Sequence, residues 1–332
     1  MSKVGVVVIG RNEGNKLKYC LLSAMGEGRV VVYVDSGSTD KSVELASSLG
    51  VNVLELELSI PFTAARARNQ GFEYLLKIEP DLEFVQFVDG DCRIFPEWWY
   101  CAVNEFQVKT DAVVVCGRRQ EQYPNKSIYN RLCDIEWDTP VGEAKACGGD
   151  AMMRVSALKK VGGFNPKLIA GEEPELCVRL RQLGGKVLRI DAQMTMHDAQ
   201  MTSFRQWWQR SLRAGHAYAE GSWLHGKNSE KHWVKESRSI WIWGFTLPVL
   251  AVMFSLPSYG LSIIFLIILY VVLGYRIYSF AKSQEFSSSD AILYSLFCII
   301  GKFPQAQGQI KFHLGRLLHK ESKLIEYKGA AS

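Results

Sequence analysis

Asp89-Gly90-Asp91 stands directly after the apolar run Phe84 to Val88, and it is the sharpest chemical signal in the chain. Two carboxylates flanking a glycine can hold one hard divalent cation, and the glycine lets a diphosphate approach the backbone. Alone, such a triplet is a common turn; its place at the end of a buried strand makes it a candidate site. Upstream, Val34 delivers Asp35-Ser36-Gly37-Ser38-Thr39-Asp40 into a helical pattern. Ser38, Thr39 or Asp40 would cap a helix beginning at Lys41, and the same carboxylates and hydroxyls can face a nucleobase and ribose. Ile9-Gly10-Arg11-Asn12-Glu13 occupies the equivalent place after the first apolar run. Ala65-Arg66-Ala67-Arg68-Asn69 puts two guanidiniums near a helix start, where they could grip phosphate or be simply solvated. Glu172 and Glu173 precede Pro174, which suits the first residues of a helix through Leu176, Leu180 and Leu183 closed by Gly184-Gly185. Acidic residues there offset the helix dipole, and they are also candidates for a general base.

The elements that must position these groups follow from periodicity. Val4 to Ile9, Val30 to Val34, Val51 to Leu58 and Phe84 to Val88 read as buried strands. Asn15 to Ala24, Lys41 to Leu49 and Thr63 to Lys77 read as helices between them. Alternation of this kind predicts an α/β fold with a mostly parallel central sheet flanked by helices, whose ligands bind beyond the carboxyl ends of the strands.

Composition narrows the class. The 332 residues are 48% hydrophobic and 22% charged, with 39 Lys and Arg against 34 Asp and Glu and a formal charge of +5. That excludes a disordered, collagenous or heptad-rod chain, and such a mild basic excess, with no basic cluster among the first two hundred residues, predicts no nucleic-acid partner. The eight cysteines, at 20, 92, 101, 116, 133, 147, 177 and 298, show no C-x-x-C spacing and no neighbouring His at zinc-site distance. Their spacing predicts no zinc site and a reducing compartment. The opening Met1-Ser2-Lys3-Val4 runs straight into a strand, so no signal peptide is expected.

The composition shifts near Ser222, which suggests a catalytic domain over 1–222 and a C-terminal membrane-associated helical region over 223–332. Between Arg238 and Arg276 lie 37 residues without a charge, interrupted by Pro257-Ser258-Tyr259-Gly260. An apolar hairpin over about 239–275 is expected, although each arm is shorter than the ~20 residues of a full span unless the second extends past a snorkelling Arg276. Lys227, Lys231, Lys235 and Arg238 before it, with Arg276 and Lys282 after it, place both ends in the cytoplasm. Basic residues interleaved with apolar ones predict an amphipathic helix over about 291–320, either in the membrane interface or packed on the protein.

Taken in order, the motifs resemble the family 2 glycosyltransferases of the GT-A fold. The resemblance is carried by Arg11-Asn12-Glu13, by Asp35 to Asp40, by Ala67-Arg68-Asn69 and by Asp89 and Asp91. It continues through Gly148-Gly149 with Ala151 to Arg154, then Gly163-Phe164 and Gly171-Glu172-Glu173-Pro174-Glu175-Leu176, over roughly residues 3 to 220. It implies a divalent cofactor, Mn²⁺ or Mg²⁺, on Asp91 with Asp89 and His197. It implies a nucleotide-sugar donor on Ile9, Arg11, Asn12, Glu13, Asp35, Ser36, Ser38, Asp40, Arg68, Asn69, Asp89 and Gly90, with Asp35 on the base and Arg68 near the diphosphate. Glu173, or Glu172 in its place, would be the base where the family usually has Asp. Gly148, Gly149, Trp207 and Trp208 are candidates for the acceptor or sugar, although core packing explains the tryptophans as well. Gln206-Trp207-Trp208-Gln209-Arg210 breaks the Q-x-x-R-W spacing of polymerising members, so single sugar transfer with inversion is implied. The acceptor would be a lipid, a lipid-linked glycan or a membrane-proximal glycan, met by a catalytic domain on the cytoplasmic side of a membrane in envelope polysaccharide assembly. A nucleotidyltransferase would need a G-x-G-T/S-R-like loop, and a nicotinamide enzyme G-x-G-x-x-G, after the first strand; neither is present. A membrane-tethered scaffold that binds a nucleotide sugar without turnover is the remaining alternative.

Overall fold

The computed structural model describes residues 3–319. They form two compact units: one of residues up to Tyr123 with Glu136–Ala199, the other of Pro124–Ile135 with residues from Gln200 on. The division falls at Ala199, not near Ser222, and a short segment from the middle of the chain belongs to the second unit.

The first unit is built on a nine-stranded sheet. Its elements are β1 (Val4–Gly10), α1 (Asn15–Ala24), β2 (Arg29–Asp35), α2 (Ser42–Ser48), β3 (Asn52–Glu55), α3 (Ala64–Ile78), β4 (Phe84–Asp89), β5 (Cys92–Ile94), α4 (Trp98–Val108) and β6 (Ala112–Glu121). After α5 (Ile128–Trp137) come β7 (Gly142–Glu143), β8 (Ala151–Arg154), α6 (Val155–Val161), α7 (Glu172–Gln182) and β9 (Lys186–His197). The sheet order is β3-β2-β1-β4-β8-β6-β9-β5, with β7 on β9. The valines of β1, Val31, Val32 and Val34 of β2 and the Phe-Val pairs of β4 are buried on both faces, as the continuous apolar runs require. Helix α3 lies close on β1: a Cβ on Gly5 would stand 2.5 Å from Leu75, and one on Gly71 2.5 Å from Val7. Thr63 caps α3 by accepting from the Arg66 N–H at 3.0 Å. Helix α2 starts at Ser42, one residue later than expected, and Asp40 accepts from its first N–H at 3.0 Å.

The sheet is mixed rather than purely parallel, and its longer pairings run parallel as expected. The β3-β2-β1-β4 half and the β6-β9 pair are parallel, whereas β8 runs antiparallel to both β4 and β6, and β5 and β7 run antiparallel to β9. The cause is β8, a four-residue strand that enters from the carboxyl end of β4 and leads directly into α6. Its reversed direction brings Gly148, Gly149 and Asp150 to the place where β1, β2 and β4 end.

The second unit is helical: the α5 segment, α8 (Phe204–His225), α9 (Val234–Trp241), a π turn over Ile242–Thr246, α10 (Leu247–Met253), α11 (Leu261–Ser283), α12 (Ser288–Ile300) and α13 (Lys302–Leu317). The chain turns between Met253 of α10 and Leu261 of α11, and α11 runs past Arg276 to Ser283. Ser262 donates to the Ala251 carbonyl at 2.7 Å and Tyr270 to that of Trp243 at 2.5 Å, which ties the arms together. The expected helix over 291–320 is two helices broken at Gly301, and Lys320 lies outside the described residues. Helix α13 packs on α8 with glycines at the crossing: Cβ atoms on Gly215 and Gly308 would each stand 2.1 Å from a carbonyl of the opposite helix.

Candidate active site

The loops after β1 and β2 are knitted together. Asn12 takes a left-handed conformation, φ 57°, which asparagine tolerates better than most residues. Its side-chain oxygen accepts from the Thr39 N–H at 2.7 Å and the Asp40 N–H at 3.3 Å, while its own N–H donates to Ser38 at 2.9 Å. Ser36 donates to the Gly10 carbonyl at 3.0 Å, and Arg11 lies 5.3 Å over the Phe62 ring. Asp35 is 2% exposed. One of its oxygens accepts from Tyr33 and Ser38 hydroxyls, the other from the Gly37 and Ser38 N–H groups at 2.9 and 2.8 Å. All four of these contacts come from residues 33 to 38, so the carboxylate shapes its own loop. Asn69 clamps Phe164 with two hydrogen bonds of 2.7 and 2.8 Å, and Arg66 holds the Glu57 and Ile60 carbonyls.

At the carboxyl end of β4 sits a buried charge network. Arg68 donates to Asp89 at 2.9 Å and to Glu172 at 2.7 Å. Burial works against its charge, and the two carboxylates outweigh that and hold its pKa above the usual arginine value. Arg119 stands 3.5 Å from Asp89 and from Asp150, with its guanidinium over Trp137 at 4.9 Å. Asp150 accepts from the Asp89 N–H at 3.1 Å and from Thr195 at 2.7 Å. Gly149 passes so close that a Cβ would meet Asp89 at 3.0 Å. Gly90 donates to the Ile9 carbonyl at 2.8 Å, and a Cβ there would stand 3.3 Å from Glu13.

Asp91 and His197 meet across the β5–β9 pair, in which Cys92 is opposite His197. His197 Nε2 is 3.2 Å from Asp91, and Trp137 packs edge-on against its ring at 4.8 Å. His197 Nδ1 is buried and takes no hydrogen bond among the described residues, with Glu121 at 3.9 Å. Asp91, Cys92 and His197 offer ligand atoms all within 4.8 Å of one another. Of the expected metal ligands, Asp91 and His197 are brought together, while Asp89 turns to the two arginines.

Glu173, in the first turn of α7, lines a cavity of about 500 Å³ together with Arg119, Trp137, Cys147, Gly148 and Asp150. It is 6% exposed. Burial raises its pKa, and hydrogen bonds from Cys147, Cys177 and the Gly148 backbone partly pull it back. Trp207 and Trp208 lie in the second unit. Trp207 is 3% exposed and edge-on to Phe297 at 4.8 Å, and Trp208 donates to Gln307 at 3.2 Å, so Trp207 is core and Trp208 is tied to α13. Sequence reasoning missed Cys92, Arg119, Asp150 and Glu121. For Asp150 a signal existed, since it directly follows Gly148-Gly149; Arg119 lies in a strand with no motif.

Residues 5–162 match the sequence model of Glycosyl transferase family 2. Among solved structures, the mannosyltransferase PcManGT from Pyrobaculum calidifontis, in complex with GDP-Man and Mn²⁺, is similar at TM-score 0.60 and 15% identity, over 94% of this chain and 87% of that one. Residues 1–349 of TarS from S. aureus are similar at TM-score 0.51 and 15% identity, over 94% and 92% of the two chains. The fold is GT-A-like, and the matched stretch is a family 2 glycosyl transferase domain.

Proposed function

We propose that the family 2 glycosyl transferase domain of this chain moves one sugar from a nucleotide-diphosphate sugar, a UDP-sugar first among them, to a hydroxyl of a lipid-linked or membrane-proximal glycan, with inversion. The observation that carries the reading is the meeting of Asp91 and His197 beside the Asp89–Arg68–Glu172 network, at the carboxyl end of β4. The donor set fits a divalent cation: a carboxylate and an imidazole face each other, and Nδ1 of the same ring is an orphaned buried nitrogen awaiting an orienting partner. Asp91 and His197 would hold Mn²⁺ or Mg²⁺. When bound, the ion supplies positive charge against a departing diphosphate.

The chain's own residues do the rest. Arg68 and Arg119 are fixed guanidiniums whose charge is set before substrate arrives, which avoids reorganisation during the reaction. Asp35 and Asn12 fix the loops that form the rim for base and ribose. Glu173 accepts the proton of the attacking hydroxyl; burial makes it a stronger base than an ordinary carboxylate. Direct attack opposite the leaving group inverts the anomeric carbon. The absence of Q-x-x-R-W supports a single transfer.

Membrane association is supported by α11, a helix of 23 residues that contains an 18-residue stretch of mean hydropathy 2.2, none of it buried. Among the described residues it is the one helix long and apolar enough to cross a bilayer. Basic residues flank the hairpin on both sides, which supports a catalytic domain at the cytoplasmic face.

The test is calorimetry with UDP, GDP and dTDP, with and without Mn²⁺, on the full chain in mild detergent and on Asp91→Asn. Metal-dependent binding of one nucleotide, lost by more than about ten-fold in the variant, is expected. Folded protein that binds none of the three overturns the reading; binding without sugar release leaves the tethered scaffold.

A further inference from the structure

We infer that Cys147, Cys177 and Glu173 form a second metal site, for a borderline-soft divalent cation of the zinc class, and that loading it silences transfer. The silencing rests on the proposed role of Glu173 as base; the metal site does not.

The three side chains come from two rigid sources. Glu173 and Cys177 are four residues apart on α7 and share one face of that helix, while Cys147 stands in the loop between β7 and β8. Their ligand atoms lie within 4.8 Å of one another. The Sγ atoms of Cys147 and Cys177 are 3.8 Å apart. Two thiolates each about 2.3 Å from a tetrahedral zinc stand about 3.8 Å from each other, so the pair already has the separation that the ion imposes. Cys177 Sγ is 3.1 Å from Glu173 Oε1, against about 3.5 Å for a thiolate and a carboxylate on one such centre. For that pair the adjustment is a few tenths of an ångström.

Chemistry sorts the two candidate centres. Asp91 and His197 offer oxygen and nitrogen, with one thiol beside them; the Cys147 cluster offers two sulfurs and one oxygen. Thiolates select zinc over Mg²⁺ and Mn²⁺, which prefer carboxylate and water. All three members of the cluster are buried, with Cys147 at 2%, Glu173 at 6% and Cys177 at 0% exposure. An ion would replace the protons that the two buried thiols keep when it is not there. Entry and the fourth coordination position are provided by the cavity of about 500 Å³, whose wall includes Cys147 and Glu173. The thiols are 30 residues apart, which is why spacing alone shows no zinc motif. A carboxylate held by the ion cannot take a proton from an acceptor hydroxyl, so the loaded protein would be inactive.

The experiment uses the full chain in mild detergent, stripped with a chelator, kept reduced with a phosphine, and held in excess Mg²⁺. Co²⁺ is titrated while the thiolate-to-cobalt charge-transfer bands are followed, and Zn²⁺ is then added. One equivalent of tetrahedral thiolate-bound cobalt is expected, displaced by one equivalent of zinc. The bands should be lost in Cys147→Ser and Cys177→Ser, and should shift in Glu173→Gln. They should persist in Cys92→Ser, with circular dichroism and melting confirming that each variant is folded. Absence of the bands, their persistence in folded Cys177→Ser, or their loss in Cys92→Ser overturns the site. In the transfer assay, zinc should inhibit wild type without competition from Mn²⁺, and folded Cys177→Ser should need more than about ten-fold more zinc. Bound cobalt or zinc with unaffected transfer leaves the metal site standing and overturns the silencing, and with it the role of Glu173 as base.

Discussion

The two compact units are packed in different ways. In the first, the valines at 6, 7, 8, 32 and 34 and Phe87 are fully enclosed, and the buried charged side chains of Arg68, Asp150 and Glu173 each meet partners there. In the second, the apolar window of α11 is unburied, while Gln309 is 0% exposed and bonds Ser237 at 3.1 Å. Glycines rather than large side chains set the α8–α13 crossing. The first pattern is what water selects, where each buried apolar side chain contributes roughly 1.5–3 kcal/mol. The second packs by close backbone approach and internal hydrogen bonds, the habit of helices whose surroundings are as apolar as their own surfaces. On the proposed reading, one chain has been fitted to two solvents.

The largest effect that would test this contrast concerns the buried carboxyl of the first unit. Glu173→Gln should lower kcat by about 10²–10⁴-fold and yet leave the protein more stable at neutral pH. The sign follows from its raised pKa: the folded state holds the proton longer than the unfolded chain does. The Glu173 contribution is therefore favourable below the ordinary carboxylate value and is lost as pH rises through the folded pKa. Steady-state rates and melting curves across that range check both; a variant with wild-type kcat would remove Glu173 from the chemistry. Next in size, Gly215→Leu must push α8 off α13, because a Cβ already stands 2.1 Å from the Gln305 carbonyl. A loss of about 3 kcal/mol or more is expected in detergent melting; tolerance would mean that the crossing is loose. Val271→Lys, at a position 65% exposed on α11, should cost about 2.5–3.5 kcal/mol of membrane partitioning in vesicle flotation if that face meets lipid. Unchanged flotation would make the contrast between the units one of shape only. Smallest, Asn69→Ala removes the two-bond clamp on Phe164 and should destabilise by about 1–3 kcal/mol, read by denaturant titration, with a modest effect on KM.

The first half of the sheet was legible because its strands are continuous apolar runs and its helices have plain periods; Asn15 to Ala24 agrees to the residue. The reversed strand was not. Ala151-Met152-Met153-Arg154 is too short to show a period, and nothing in four residues encodes the direction in which they enter a sheet. Asp91 and His197 were legible as types in the right order, and the fold supplies their meeting. Arg68 was legible as a candidate phosphate grip but not as the buried bridge between Asp89 and Glu172, because ion-pair partners 104 residues apart leave no local trace. Asp35 was legible as a loop carboxylate, but its four hydrogen bonds to Tyr33, Gly37 and Ser38 come from the folded loop and not from the motif.

The passage of Pro124–Ile135 into the second unit has a consequence in time. Arg131 makes a two-pronged ion pair with Asp290, 159 residues further along. At roughly 5–20 residues per second of synthesis, that guanidinium waits about 8–30 s for its partner to leave the ribosome. Neither unit can be finished as a contiguous stretch of nascent chain. A chain stopped after Ala199 would carry a complete sheet and a helix, α5, bereft of Asp290. The two units are separable in space but not in the order of their making.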